Sequence, residues 1–235
     1  MIDFFRDQLS AVTSTGAILG SFDNYNKCYV LSIQPNSRYD YGVYKTLSFD
    51  ERSKGWTSFF DFKPQDMFSS QGQFYSTKLR SGEDINELYQ HYTNQTRNSF
   101  YGTTTPSSIQ FVFNPAPNNI KTFQTINYEG SNGWKVDSFA MDTGDTTNIV
   151  YSYDEGSYIE GGVTYRVGFD KKENKYHANL VNSSGVKAGE VLWGSDMTGV
   201  KGYFATVKVS TDETTNPGGS KELFAVSSNY VESSY

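Results

Sequence analysis

Few side chains in this sequence have the types and spacing that chemistry requires. There are two histidines, His91 and His177, each flanked by tyrosine (Gln90-His91-Tyr92 and Tyr176-His177-Ala178). They lie far apart in sequence and lack a ligand-spaced partner, which argues against a histidine metal site. Either imidazole could act as a general base, but neither comes with a Gly-x-Ser-x-Gly elbow or a cysteine nucleophile motif. Both are read as strand-surface residues. The single cysteine, Cys28, adjoins the run Tyr29-Val30-Leu31, so it reads as a small strand residue and not as a reactive thiol. With one cysteine there is no intrachain disulfide. The densest carboxylates are Asp142-Thr143-Gly144-Asp145 and Asp154-Glu155-Gly156. They match only part of a calcium loop, which alternates oxygen ligands and closes on a bidentate acid. Incidental polar loops are the plainer reading. A glycosidase needs two facing carboxylates, and nothing selects two of the 26 acidic residues over the rest. No Walker loop or dinucleotide fingerprint is present. No cofactor, metal or catalytic residue is therefore assigned.

Trp56, Trp134 and Trp193 allow a different kind of chemistry. With neighbouring tyrosines they could stack on sugar rings or anchor a protein contact. All three are carried forward as candidate interface or glycan-stacking residues. Each also sits beside a glycine at a predicted strand end, so the competing reading is a core residue between sheets.

The elements that would position these side chains are strands. Among 235 residues there are 18 Tyr and 17 Phe, which suit a pleated, half-buried surface. Six Pro against 21 Gly leaves the turns to Gly, Asn, Asp and Ser. A hairpin signature occurs three times, as FDNYNKCY at 22–29, FDERSKGW at 49–56 and FDKKENKY at 169–176. In each, a strand ends at Phe, Asp starts a polar loop, and a new strand begins near the aromatic residue six positions after the Asp. Alternating apolar and polar residues, as in Phe204-Thr206-Lys208, indicate antiparallel sheets with one wet face. One short amphipathic helix is predicted over 2–10, with Phe4, Phe5 and Leu9 on one side. A second weak helical pattern runs over 83–92, overlapping a strand reading of 87–92. The polar stretches 142–148 and 211–219 are expected to be mobile loops.

The fold class is all-β, built of antiparallel hairpins. A hairpin-rich region over 1–118 is propeller-blade-like or sandwich-like, and a β-sandwich follows over 119–235. The first region is too short for more than two propeller blades, so a propeller would be incomplete.

The net charge is −6 and the pI about 5.0, and Lys and Arg are nowhere clustered. That composition excludes nucleic acid as a partner, because such binding leans on clustered positive charge. No apolar stretch reaches the roughly 18–20 residues that span a membrane, and the N-terminus does not read as a secretory signal. Synthesis and folding in a cytoplasm are expected.

Several stretches carry a family resemblance. They are FDNYNKCYVLS (22–32), LSFD continuing to KGWTSFF (47–60), RNSFYG (97–102) and FVFNP (111–115). The most distinctive is TINYEGSNGW (125–134), and the ending GYFAT (202–206) with KELFAVSS (221–228) fits as well. Together they resemble large virion structural proteins of tailed bacteriophages, those of contractile-tailed cyanophages and other marine phages most strongly. Related segments occur in the muzzle-type proteins of crAss-like phages. The likeness runs from about residue 15 to 235 and falls on what would be the C-terminal portion of those longer proteins, so the chain is a short homologue, a split gene product or a fragment. It implies a non-enzymatic virion component, tail- or neck-associated, that contacts other virion proteins and forms a homo-oligomer. Two further readings stand beside it. One is a carbohydrate-binding or host-adhesion module, supported by aromatics on an acidic β scaffold. The other is a glycan-degrading enzyme.

Overall fold

The computed structural model describes residues 1–36, 43–80, 85–144, 146–147, 150–153, 157–166, 168–181 and 199–232; Trp193, Asp145, the 154–156 cluster and the strand predicted at 189–193 lie outside them. The chain is an all-β protein of antiparallel sheets with one helix among the described residues. It divides into two compact units, Met1–Thr105 and Pro106–Tyr235.

The first unit opens with α1 (Ile2–Ser10), where the amphipathic pattern predicts a helix. A four-stranded antiparallel meander follows, formed by β1 (Ala17–Asp23), β2 (Cys28–Gln34), β3 (Lys45–Asp50) and β4 (Gly55–Phe60). A second meander consists of β5 (Asp66–Ser70), β6 (Gln73–Leu79) and β7 (Asn86–Gln90). Within the stretch predicted over 83–92, residues 86–90 are thus strand and not helix, because they pair in register with β6 (Thr77 opposite Leu88). A short ribbon, β8 (Ser99–Phe100) with β9 (Thr103–Thr104), ends the unit.

The first sheet has buried residues on both faces. On one side Cys28 and Val30 join Phe62, Met67 and Phe74 in a small core. The polar residues Ser32, Gln34 and Thr46 are buried beside it, bonded to one another and to the carbonyls of Phe62 and Pro64. Buried hydroxyls and amides are tolerable there because each is satisfied. On the other side Ile33 and Leu47 are fully buried. α1 supplies aromatic cover for β4: Phe4 meets Phe59 edge-on at 5.7 Å, and Phe5 meets Trp56 at 5.0 Å.

The first two hairpins share one turn. Asp23 pairs with Cys28 and Asp50 with Gly55, leaving four-residue loops. In each the Asp Oδ1 accepts a bond from the amide two residues on, Tyr25 N at 2.8 Å and Arg52 N at 2.9 Å. Each loop ends on a left-handed lysine, Lys27 at φ 58° and Lys54 at φ 52°. The third repeat departs from this pattern. Asp170 lies within a strand, and the chain turns three residues later at Glu173-Asn174, whose φ values are 50° and 63°. Two consecutive positive φ values give a primed two-residue turn, which suits the strand twist and displaces the Asp-initiated loop.

The second unit is a β-sandwich. One sheet contains β10 (Ser108–Phe113), β12 (Trp134–Met141) and, between them, β18 (Ala205–Thr211). The other is centred on β11 (Lys121–Gly130). β16 (Lys175–Asn179) and β17 (Val200–Gly202) share one edge of β11, with β15 (Asp170–Lys172) outside β16, while β19 (Leu223–Glu232) takes the other edge. A separate hairpin joins β13 (Ser157–Glu160) to β14 (Val163–Arg166). Residues 106–118 belong to this unit, because β10 pairs with β18 along its whole length. Of the stretch predicted as a strand over 148–153, the described residues 150–153 contribute a bridge, Val150 to Val136.

Both sheets feed a single core. Phe123, Ile126 and Tyr128 of β11 meet Val136 and Phe139 of β12, Val207 and Val209 of β18, and Tyr176 of β16. Tyr128 and Tyr176 stack at 4.5 Å, and Phe169 meets Tyr128 edge-on at 4.8 Å. The aromatic abundance of the sequence is thus largely a packing property.

Candidate functional site

The first unit brings together a hydroxyl, an imidazole and a carboxylate. Ser76 Oγ lies 2.6 Å from His91 Nε2 and 2.8 Å from the Tyr101 hydroxyl. Nearby, the Tyr92 hydroxyl donates to Asp23 Oδ2 at 2.6 Å, and Asn26 Nδ2 donates to the same oxygen at 3.2 Å. Asp23 Oδ1 takes the amides of Tyr25 and Asn26. The residue types are those of nucleophilic catalysis, but the setting is not. Ser76 and Asp23 are fully buried, and His91 is 8% exposed. His91 is therefore no strand-surface residue: its ring sits among Phe62 at 5.1 Å, Phe74 at 5.0 Å and Tyr101. Burial pushes its pKa down to about 4, against a smaller upward pull from Asp23. Burial and the bond to Asp23 together raise the Tyr92 hydroxyl well above the tyrosine range. A nucleophile needs an open approach to substrate, and Ser76 has none. This network joins the first turn to the end of β7 and serves the fold.

A second polar centre lies in the sandwich. Asp212 is buried and ion-paired with Lys221, Nζ to Oδ1 being 3.1 Å. It also accepts bonds from the Ser152 hydroxyl, from Thr215 N at 2.8 Å and from Thr215 Oγ1 at 2.6 Å. Burial alone would raise this carboxyl; the bonds from Ser152, Thr215 and Lys221 outweigh it and hold the group below the usual carboxylate range. Gly133, at φ +98°, lets the Lys221 ammonium come within 2.7 Å of where a Cβ would stand. The segment after β18, read from sequence as a mobile loop, is therefore pinned at both ends by one buried ion pair. Lys121, also fully buried, donates to the carbonyls of Ala116 at 2.9 Å and Asn119 at 2.8 Å.

The remaining residues with chemical potential stay apart. His177 is half-buried on the outer face of the second sheet, with Nδ1 2.7 Å from Asn127 Oδ1. Asp142 Oδ1 accepts the amides of Tyr203 and Phe204. Among the described residues no group of three or more His, Cys, Asp or Glu could hold a metal ion. Cys28 is buried, and its pKa is raised by burial and by Asp23 and Asp50.

The tryptophans differ in placement. Trp134 is a core residue, 6% exposed, with Nε1 donating to the Glu222 carbonyl at 3.1 Å. Trp56 is half-buried between Phe5 and Phe49. Sequence reasoning also missed the exposed aromatics outside the tryptophans. Phe59 (59%) and Tyr25 (54%) stand out in the first unit, and Phe224 (74%) in the second.

Residues 95–182 match the family model of the crassvirus muzzle protein C-terminal domain. The matched stretch begins in the first unit before β8 and runs through β16 of the sandwich. The match covers less than half of the chain and likens that part to a crassvirus-like phage structural protein. No curated protein matches the chain. No helix among the described residues is long and apolar enough to cross a membrane.

Proposed function

We propose that this chain is a non-enzymatic structural component of a tailed-phage virion, associated with the tail or neck, whose work is to hold neighbouring subunits through protein–protein contacts. The observation that carries the reading is the match of residues 95–182 to the muzzle C-terminal domain. The resemblance of the flanking stretches to virion proteins of contractile-tailed cyanophages and marine phages extends it over most of the chain. The architecture suits the role, since the polar clusters brace turns and edges while exposed aromatics remain on the surface. The partners are other virion proteins and further copies of this chain. Of the two tryptophans among the described residues, Trp56 has the placement for a contact, because it is only half-buried, packed on Phe5 of α1 and on Phe49.

Gold-labelled antibody against the chain, applied to intact particles, tests the location. Label at the tail-proximal vertex or along the tail is the expected result. Label spread over the capsid shell would overturn the tail or neck assignment.

A further inference from the structure

The two sides of the sandwich are finished differently. On one side, β15 covers the outer edge of β16, and bridges from Val150 and Thr146 cover the outer edge of β12. On the other side lie β10 and β19. Phe113 of β10 and Tyr230 of β19 both contact Phe123 of β11, at 6.4 and 5.9 Å, so the two edge strands flank the same opening. Among the described residues neither strand has a partner beyond its own sheet neighbour.

Side chains facing the core stay partly wet along this opening. Ile109 stands opposite the buried Val209, yet is 48% exposed. On β19, Tyr230 faces Phe123 and Val226 faces Tyr128; Tyr230 is 36% exposed and Val226 half-buried. Neither strand contains the Pro or Lys that commonly blunts an edge, and the one irregularity on β19, at Phe224, lies near its start and leaves 225–229 in continuous register with β11. The single charged residue of the two strands is Glu232, and its Oε2 accepts a bond from Asn119 Nδ2 at 3.0 Å. In a chain of net charge −6, this is a side where another acidic molecule can approach without like-charge repulsion.

We infer that β19 is a dimerisation edge, on which the β19 of a second copy pairs antiparallel about a two-fold axis. A two-fold axis normal to the sheet makes like strands antiparallel and the contact isologous. Keeping the core-facing sides of both copies on one face fixes the parity of the register, because a one-residue slip would turn core-facing side chains outward. Centred on Ser228, the pairing sets Val226 against Tyr230 of the other copy on the core-facing side. On the solvent-facing side it sets Ser227 against Asn229. The half-exposed apolar side chains are then covered, and the outward-pointing amides and carbonyls of alternate β19 residues, those not bonded to β11, gain partners. The inference deepens the virion reading by naming one contact between copies.

Ser227 and Asn229 are exposed, so the full chain tolerates charge at both. Sedimentation equilibrium of the full chain, over a wide concentration range, is expected to show a monomer–dimer equilibrium. The variant S227K/N229K places lysine against lysine twice across the axis, and its dimer is expected to weaken at least tenfold. The variant S227K/N229E places lysine against glutamate twice and should restore dimerisation, with both variants retaining the far-UV spectrum and melting temperature of the parent. A parent that stays monomeric throughout, an unaffected double-lysine variant, or equal weakening in both variants would overturn the proposal. None of these results bears on whether the chain is present in particles, so this inference and the virion reading can fail separately.

Discussion

Asp212 and His91 are buried titratable groups, one in each unit, whose shifted pKa values make stability depend on pH. Replacing Asp212 by Ala leaves the Lys221 ammonium buried without its counter-ion, and it strips Ser152 and Thr215 of an acceptor. Removing one partner of a buried pair costs about 3–5 kcal/mol. The urea midpoint of Asp212→Ala should fall accordingly, whereas Asp50→Ala, at an exposed turn, should move it far less. Because the Asp212 carboxyl is held low in the fold, its contribution is present above the unfolded carboxylate pKa of about 3.9 and is lost as pH falls further. His91 works in a higher window. Unfolded, it takes a proton near pH 6.5; folded, not until about 4. The unfolded chain therefore binds more protons between those values, so stability rises from pH 4 to 6.5 and is complete above. The effect is on the order of 3 kcal/mol. Unfolding measured across that window should show the slope in the parent, and His91→Phe should flatten it. The sequence could not display either centre. Asp212 sits in a run of Thr, Asp and Gly that resembles any solvent loop, and the pairing that buries it reaches Ser152 and Lys221 through the fold. His91, flanked by Gln and Tyr, gives no hint of the aromatic cage that forms around it.

At the scale of elements, local signals were strong. The 2–10 helix and the strands of the first two hairpins lie where alternation and turn chemistry place them, since Asp and a left-handed residue fix each loop without help from distant contacts. Lys27 and Lys54 carry the backbone strain of those turns, and Lys54 is exposed. Lys54→Gly should therefore raise the melting temperature of the first unit, by the equivalent of up to about 1 kcal/mol. Asp23→Ala should cost several times more than Asp50→Ala, because Asp23 is buried and also holds Tyr92. The third hairpin defeated the same logic: its Phe-Asp spelling matches, but Glu173-Asn174 offers a tighter turn. The strand at 66–70 went unread because Asp66-Met67-Phe68-Ser69-Ser70 lacks alternation. It is held by pairing with β6 and by Ser69, which donates to the Phe22 carbonyl and accepts the Asn24 amide.

At the scale of the molecule, two compact units divide at Thr105 and Pro106, and we propose that each folds by itself. The fragment 106–235 contains both sheets of the sandwich and the entire core around Phe123 and Phe139. Expressed alone, it should unfold cooperatively in urea and keep the near-ultraviolet signature of packed tyrosines; a fragment with a broad, non-cooperative transition would contradict independent folding. The all-β class was legible from composition and alternation, while the pairing of β11 with three distant strands was not, because sequence spacing carries no record of register between remote segments. The central claim is that this chain is a structural part of a phage particle. Quantitative mass spectrometry of purified, intact particles tests it most directly. The account predicts peptides from both units, present in fixed stoichiometry with the major structural proteins. Absence of those peptides from particles, while the protein is abundant in infected cells, would contradict it.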